Sequence, residues 1–163
     1  MPGAGRFALG PLSEVAASTH TWAELAPHAP PGPLAAVTAH ERVVRGEDLR
    51  RIALFDLLVN NADRKAGHVF PDAQDNVWAI DHGICFNTQP KLRTVVWDFG
   101  GEAIPKRLLA DMARLAKEVP DGLRPLLTDE ECEAVVRRAR AVVRQGRFPS
   151  PGPERRAYPW PLV

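Results

Sequence analysis

The sequence predicts an α+β fold, mainly helical with one β-hairpin. Two segments repeat apolar residues at helical spacing: Leu108, Leu109, Met112, Leu115 and Ala116, then Val135, Val136, Ala139, Val142 and Val143. A third segment, Glu47 to Val59, is apolar on most sides in its second half, the pattern of a helix buried on most sides. Two short extended runs flank the turn-forming stretch from Pro71 to Asn76.

Each element carries its own start and stop signals. Glu47 and Asp48 place acids where a helix N-terminus favours them, and Asn60-Asn61 supplies residues that tolerate the left-handed geometry of a helix end. Gly67 to Phe70 and Val77-Trp78-Ala79-Ile80 are the hairpin strands. With the turn centred near Gln74, antiparallel pairing sets His68 opposite Ile80. His68 and Asp81 then become neighbours at the open end of the hairpin, with Asp63 at the same end. Pro105 suits the first position of the next helix. Thr128-Asp129-Glu130-Glu131 is a capping box for the last helix, and Gly146 is placed to close it. Trp78 and Trp97 are expected in the core. Asp56, a carboxylate inside an apolar helix, is expected to have a structural partner.

Proline divides the chain. Of 16 prolines, six lie in residues 1–33 and five in 149–161, so the compact body is expected between them. The expected organisation is a Pro/Gly/Ala-rich segment over 1–45, a folded lobe over 46–148 and a Pro-rich tail over 149–163. Tyr158 and Trp160 of that tail are expected to pack back onto the helices.

Composition narrows the function. A formal charge of +1 lacks the dense basic field of bulk nucleic-acid binding, so no nucleic-acid partner is expected. No run of about 18 apolar residues exists, so no transmembrane segment is expected. The N-terminus lacks the basic-then-apolar layout of a signal peptide, which makes the cytoplasm the expected compartment. Cys85 and Cys132 lie far apart and form no CxxC motif, so neither a zinc site nor a disulfide framework is indicated.

The chemistry lies in Asn60-Asn61-Ala62-Asp63-Arg64-Lys65-Ala66-Gly67-His68 and Ile80-Asp81-His82-Gly83. Together these segments present two acids and an imidazole at one end of a hairpin, with two cations beside them. Phosphoryl transfer from a nucleotide needs this inventory. One carboxylate orients or deprotonates the acceptor hydroxyl, a second carboxylate with one more ligand holds a divalent ion, and cations offset phosphoryl charge. Gly83 is placed to turn the chain sharply away from the site.

These segments resemble the catalytic and metal-binding loops of the phosphatidylinositol 3-/4-kinase-like superfamily, in particular the type II phosphatidylinositol 4-kinases and their bacterial relatives. More narrowly, the chain is similar to an actinobacterial family of such proteins. That family shares the Asn-Asn-Ala-Asp-Arg-Lys loop of residues 60–65, the Asp-His-Gly of 81–83, the Lys-Leu-Arg-Thr-Val of 91–95 and the Pro-Trp-Pro of 159–161. The likeness covers about residues 46–163. It implies the C-terminal lobe of a protein-kinase-like fold carrying a catalytic-loop hairpin, acting as an ATP-dependent phosphotransferase with Mg²⁺ or Mn²⁺. The acceptor is a lipid, a protein or a small alcohol.

Carried over by position, the resemblance makes Asp63 the catalytic aspartate, the base or orienter of the acceptor, and Asp81 the metal-binding aspartate. Arg64 and Lys65 become phosphate-binding or loop-structuring cations. Lys91 and Arg93 fall in the segment where lipid kinases read an anionic head group. His68 stands where most relatives carry a metal-binding asparagine, and an imidazole suits Mn²⁺ better than Mg²⁺. The family's nucleotide-binding lobe supplies a phosphate-pairing lysine, yet residues 1–46 contain no Lys. The expectation is therefore a lobe that works with a partner lobe or partner protein. Phe7–Leu9 and Thr21–Leu25 would be remnants of the hinge and of the last strands of that lobe. The alternative is a non-catalytic, kinase-like binding or regulatory module.

Overall fold

A computed structural model describes residues 46–74, 76–151 and 157–160. The N-terminal segment 1–45, with its expected hinge runs Phe7–Leu9 and Thr21–Leu25, lies outside the described residues. The fold is α+β: three helices and one two-stranded sheet among the described residues.

Helix α1 spans Gly46–Val59 and buries Ile52, Leu54, Phe55, Leu58 and Val59 along with Asp56. It ends as an asparagine allows. Asn60 takes a left-handed φ of 57°, and the Asn61 amide donates back to the Asp56 carbonyl at 3.0 Å. Strands β1 (Val69–Pro71) and β2 (Val77–Ala79) pair antiparallel, Val69 with Ala79, Phe70 with Trp78 and Pro71 with Val77. The register is centred on position 74, as the turn chemistry predicts, and the Ile80 amide continues it to the His68 carbonyl at 3.0 Å. Gly67 and His68, expected as the start of the first strand, belong instead to a 3-10 turn over Ala66–His68. Asp72 closes the hairpin turn: its carboxylate accepts from the Gln74 and Asn76 amides, the Asn76 side chain and the Trp78 indole.

Helix α2 spans Lys106–Leu115 and α3 spans Asp129–Gln145. Pro105 sits one position earlier than expected. It caps α2 with an extended ψ of 137°, and its carbonyl accepts the Leu109 amide at 3.0 Å. Thr128 and Glu131 form the expected capping box on α3, and Gly146 ends it at φ 62°. α2 packs on α3, and α3 packs on α1. Ile52, Met112, Val135 and Ala139 are fully buried in the resulting core.

Two expectations need correction. Trp78 and Trp97 are half-buried rather than core residues, because each indole N–H must reach an acceptor: Asp72 for Trp78 and the Ala157 carbonyl for Trp97. The tail docks through its backbone and not through its aromatic rings. Ala157 is buried and its carbonyl accepts from the Thr94 amide and the Trp97 indole, both at 3.1 Å. Burial then alternates along the chain, Ala157 and Pro159 inward, so Tyr158 (50% exposed) and Trp160 (89% exposed) face solvent. No helix among the described residues is long and apolar enough to cross a membrane.

Candidate functional site

The end of α1 runs directly into the loop Asn60–Lys65, so helix termination and site construction are one event. Asn60 fixes the neighbouring segment: its amide group donates to the Asn87 and Gln89 carbonyls at 2.7 Å, and its Oδ1 accepts the Lys91 amide at 2.9 Å. Asn61 Oδ1 accepts the Asp63 amide at 3.0 Å, and Asn61 Nδ2 donates to Asp56 at 3.1 Å. Backbone bonds from Arg93 to Asn61, Arg64 to Arg93 and Val95 to Arg64 lay the 91–95 segment parallel to this loop.

Arg64 is fully buried, and so is its partner Asp56. Arg64 Nε donates to both Asp56 oxygens at 3.0–3.1 Å, and Nη2 donates to Oδ1 at 2.9 Å. Nη1 reaches the Ile80 carbonyl at 2.6 Å. Thr94 Oγ1 donates to the same carboxylate at 3.2 Å. A guanidinium only donates, so His82 Nδ1 accepts from Arg64 Nη2 at 3.1 Å and its Nε2–H donates to the Ala79 carbonyl at 3.2 Å. Burial, and next the Arg64 charge, push the His82 pKa down to about 4. Arg64 is thus the structuring cation of its two expected roles. With no exposed surface, its side chain is not available to a phosphate.

The groups facing outward are Asp63, Lys65, His68 and Asp81. Lys65 Nζ lies 3.2 Å from Asp63 Oδ2, and both side chains keep about a quarter of their surface exposed. His68 Nε2 lies 3.4 Å from Asp81 Oδ2, as the hairpin register predicts. Burial lowers the His68 pKa against the opposing pull of Asp81 and, more weakly, Asp63, so the ring is neutral near pH 7. Its Nδ1 accepts the Lys65 amide at 3.4 Å, which places the ring proton on Nε2, toward Asp81.

Asp81 itself, with φ 56°, makes the sharp turn expected of Gly83, whose φ is not positive. An aspartate is one of the few side-chain-bearing residues that adopt this conformation readily. Lys91 and Arg93 do not join the acids. Both line a separate cleft that Asp63, His68 and Asp81 do not touch.

Sequence reasoning missed how much of the site Asn60, Asn61, Thr94 and His82 assemble. The available signal was Asp56, a carboxylate that an apolar helix would bury only with partners.

Among the described residues, no group of three or more His, Cys, Asp or Glu side chains is disposed to hold a metal ion. The His68–Asp81 pair offers two donors, one of them on a half-exposed carboxylate. That set fits a divalent ion that takes its other ligands from phosphates and water. Ligation through Nε2 requires the ring proton to move to Nδ1, with loss of the long bond from the Lys65 amide.

The sequence matches no protein-family profile and no solved structure. Over 117 residues it is 39% identical to Protein Rv2133c of Mycobacterium tuberculosis (strain ATCC 25618 / H37Rv), a stretch covering 69% of this chain. The same stretch spans 42% of the relative's length.

Proposed function

We propose that the chain is the catalytic lobe of an ATP-dependent phosphotransferase of the phosphatidylinositol 3-/4-kinase-like class. The observation that supports this reading best is the approach of His68 Nε2 to Asp81 Oδ2, 3.4 Å, with Asp63 near enough for its charge to act on the same ring. His68 and Asp81 are the residues to hold Mg²⁺ or Mn²⁺, which when bound with ATP offsets the charge on the phosphates. Asp63 takes or orients the proton of the acceptor hydroxyl. Its amide is fixed by Asn61, so the carboxylate is presented from a rigid loop. Lys65 neutralises Asp63 at rest and is free to turn toward phosphate oxygens, because an exposed ion pair is held weakly. Arg64 contributes by holding the loop and leaves the reacting groups to its neighbours.

The test is ATP turnover with Mg²⁺ and with Mn²⁺, measured on a product carrying any in-frame upstream coding sequence. Loss of turnover in both Asp63→Ala and Asp81→Ala is the expected result. Unchanged turnover in both overturns the reading.

A second reading, a non-catalytic kinase-like binding or regulatory module, draws on the same contact. His68 and Asp81 satisfy each other without an ion, and the ring proton already points at the carboxylate. This reading predicts no shift in melting temperature with ATP and Mn²⁺, whereas any ligand of the native state must produce one.

A further inference from the structure

The docked tail turns two aromatic rings to solvent, and a cleft opens beside its anchor. Ala157, whose carbonyl fixes the tail to Thr94 and Trp97, is also part of the cleft wall. The cleft measures about 1020 Å³. One side of it is a stripe of α3, Ala134, Arg137, Arg138 and Ala141, spaced i, i+3, i+4 and i+7. Leu57 and the half-buried Trp97 indole supply apolar wall. No carboxylate lines the cleft among the described residues.

The two arginines hold donors in reserve. Arg138 Nε donates to the Leu58 carbonyl at 2.6 Å and Nη1 to the Asn87 carbonyl at 3.2 Å, which ties α3 to the end of α1. Its Nη2 is buried with no partner. Arg137 has only an exposed contact with Glu133 at 3.5 Å. A guanidinium is satisfied by acceptor oxygens in its plane or by an aromatic face above it. The fold uses the second arrangement once already, with Arg50 Cζ 4.4 Å from the centre of the Phe99 ring.

The tail offers both kinds of partner. Trp160 is almost fully exposed and Tyr158 is half exposed. Pro159 and Pro161 lack an N–H, so acceptors outnumber donors along this stretch of backbone. Within one chain Trp160 is not part of the cleft wall. It lies three residues past Ala157, at most about 10 Å along the chain. Arm and socket are therefore side by side on one surface, the condition for a two-fold pairing in which each meets the other. Two pairs of rings and the surface they cover bury on the order of 1,000 Å², where specific association begins.

We propose that the chain pairs with a second copy of itself by exchanging tails. Trp160 of each copy enters the other's cleft with its face on Arg137, and tail carbonyls turn toward Arg138. The pairing is independent of the phosphotransfer reading, because it uses none of Asp63, His68 and Asp81.

The experiment is light scattering coupled to size exclusion on the full chain, across the micromolar range that an interface of this size calls for. A monomer–dimer equilibrium is expected. Trp160→Ala, which removes an exposed ring and spares the fold, is expected to weaken it by at least about tenfold. Ala141→Trp, with folding checked by circular dichroism, fills the cleft and is expected to do the same. Mixing the two variants is the decisive arm. Each mixed dimer keeps one intact ring facing one intact cleft, so association is expected to return in part. A monomer at every concentration overturns the second copy as occupant. An undiminished dimer in Trp160→Ala overturns the arm, and an undiminished dimer in Ala141→Trp overturns the cleft. No recovery on mixing overturns their pairing.

Discussion

Asp63 and Arg64 are adjacent in the chain and occupy opposite environments. Arg64 points inward to Asp56, with both side chains fully buried, while Asp63 points outward to Lys65 across a partly exposed pair. The inner pair sits in a network with Asn61, Thr94, His82 and the Ile80 carbonyl; the outer pair has water. Distances alone would rank the two ion pairs as near equals at 2.9 and 3.2 Å. Environment separates them, because losing one member of a buried pair strands a charge where water cannot reach it.

The largest effect is therefore expected at the inner pair. Asp56→Ala leaves the Arg64 guanidinium buried and unpaired, at a cost of about 3–5 kcal/mol. Urea denaturation should show an unfolding free energy lower by that amount, or an unfolded chain. A loss under about 1 kcal/mol would erase the distinction between the two sides.

On the outer side stability and chemistry should part company. Asp63→Ala is expected to leave the unfolding free energy within about 1 kcal/mol of the parent. Under the proposed phosphotransfer, its turnover falls by about 10²–10⁴. Parallel denaturation and turnover assays on one preparation measure both.

Acid should attack the inner side first. An unfolded histidine takes up its proton near pH 6.5, whereas native His82 does so only near 4. The stability that neutral His82 carries is therefore complete above about 6.5 and declines as pH falls toward 4. Thermal melts across that window should show the decline, and His82→Gln should flatten it. The smallest effect is expected at Lys65→Ala, at most about 1 kcal/mol and weakened further by salt. Melts at low and high ionic strength check it.

Much of this was legible from local patterns. Helical period, the Thr128 capping box, Gly146 and Asn60 located three helices and their ends. The turn residues set a register that brought His68 to Asp81. Asp56 announced its need for a partner by its position in an apolar helix. The direction of Arg64 was not legible, because which of two neighbouring residues faces inward depends on the backbone path after α1. The turn expected at Gly83 falls on Asp81, which can adopt the left-handed conformation itself. Tyr158 and Trp160 carry apolar surface, but the tail's alternation spends its inward positions on Ala157 and Pro159. The basic cleft joins residues about 80 positions apart in α1 and α3, and no local pattern encodes that.

The left-handed backbone at Asp81 has a consequence for how the site could be lost. Glycine adopts that conformation more readily than any residue with a Cβ. The fold thus places its proposed metal acid where backbone energetics alone would choose a residue with no side chain. Drift toward a well-folded but silent copy needs a single replacement there, at a half-exposed side chain whose removal gives up the contact with His68.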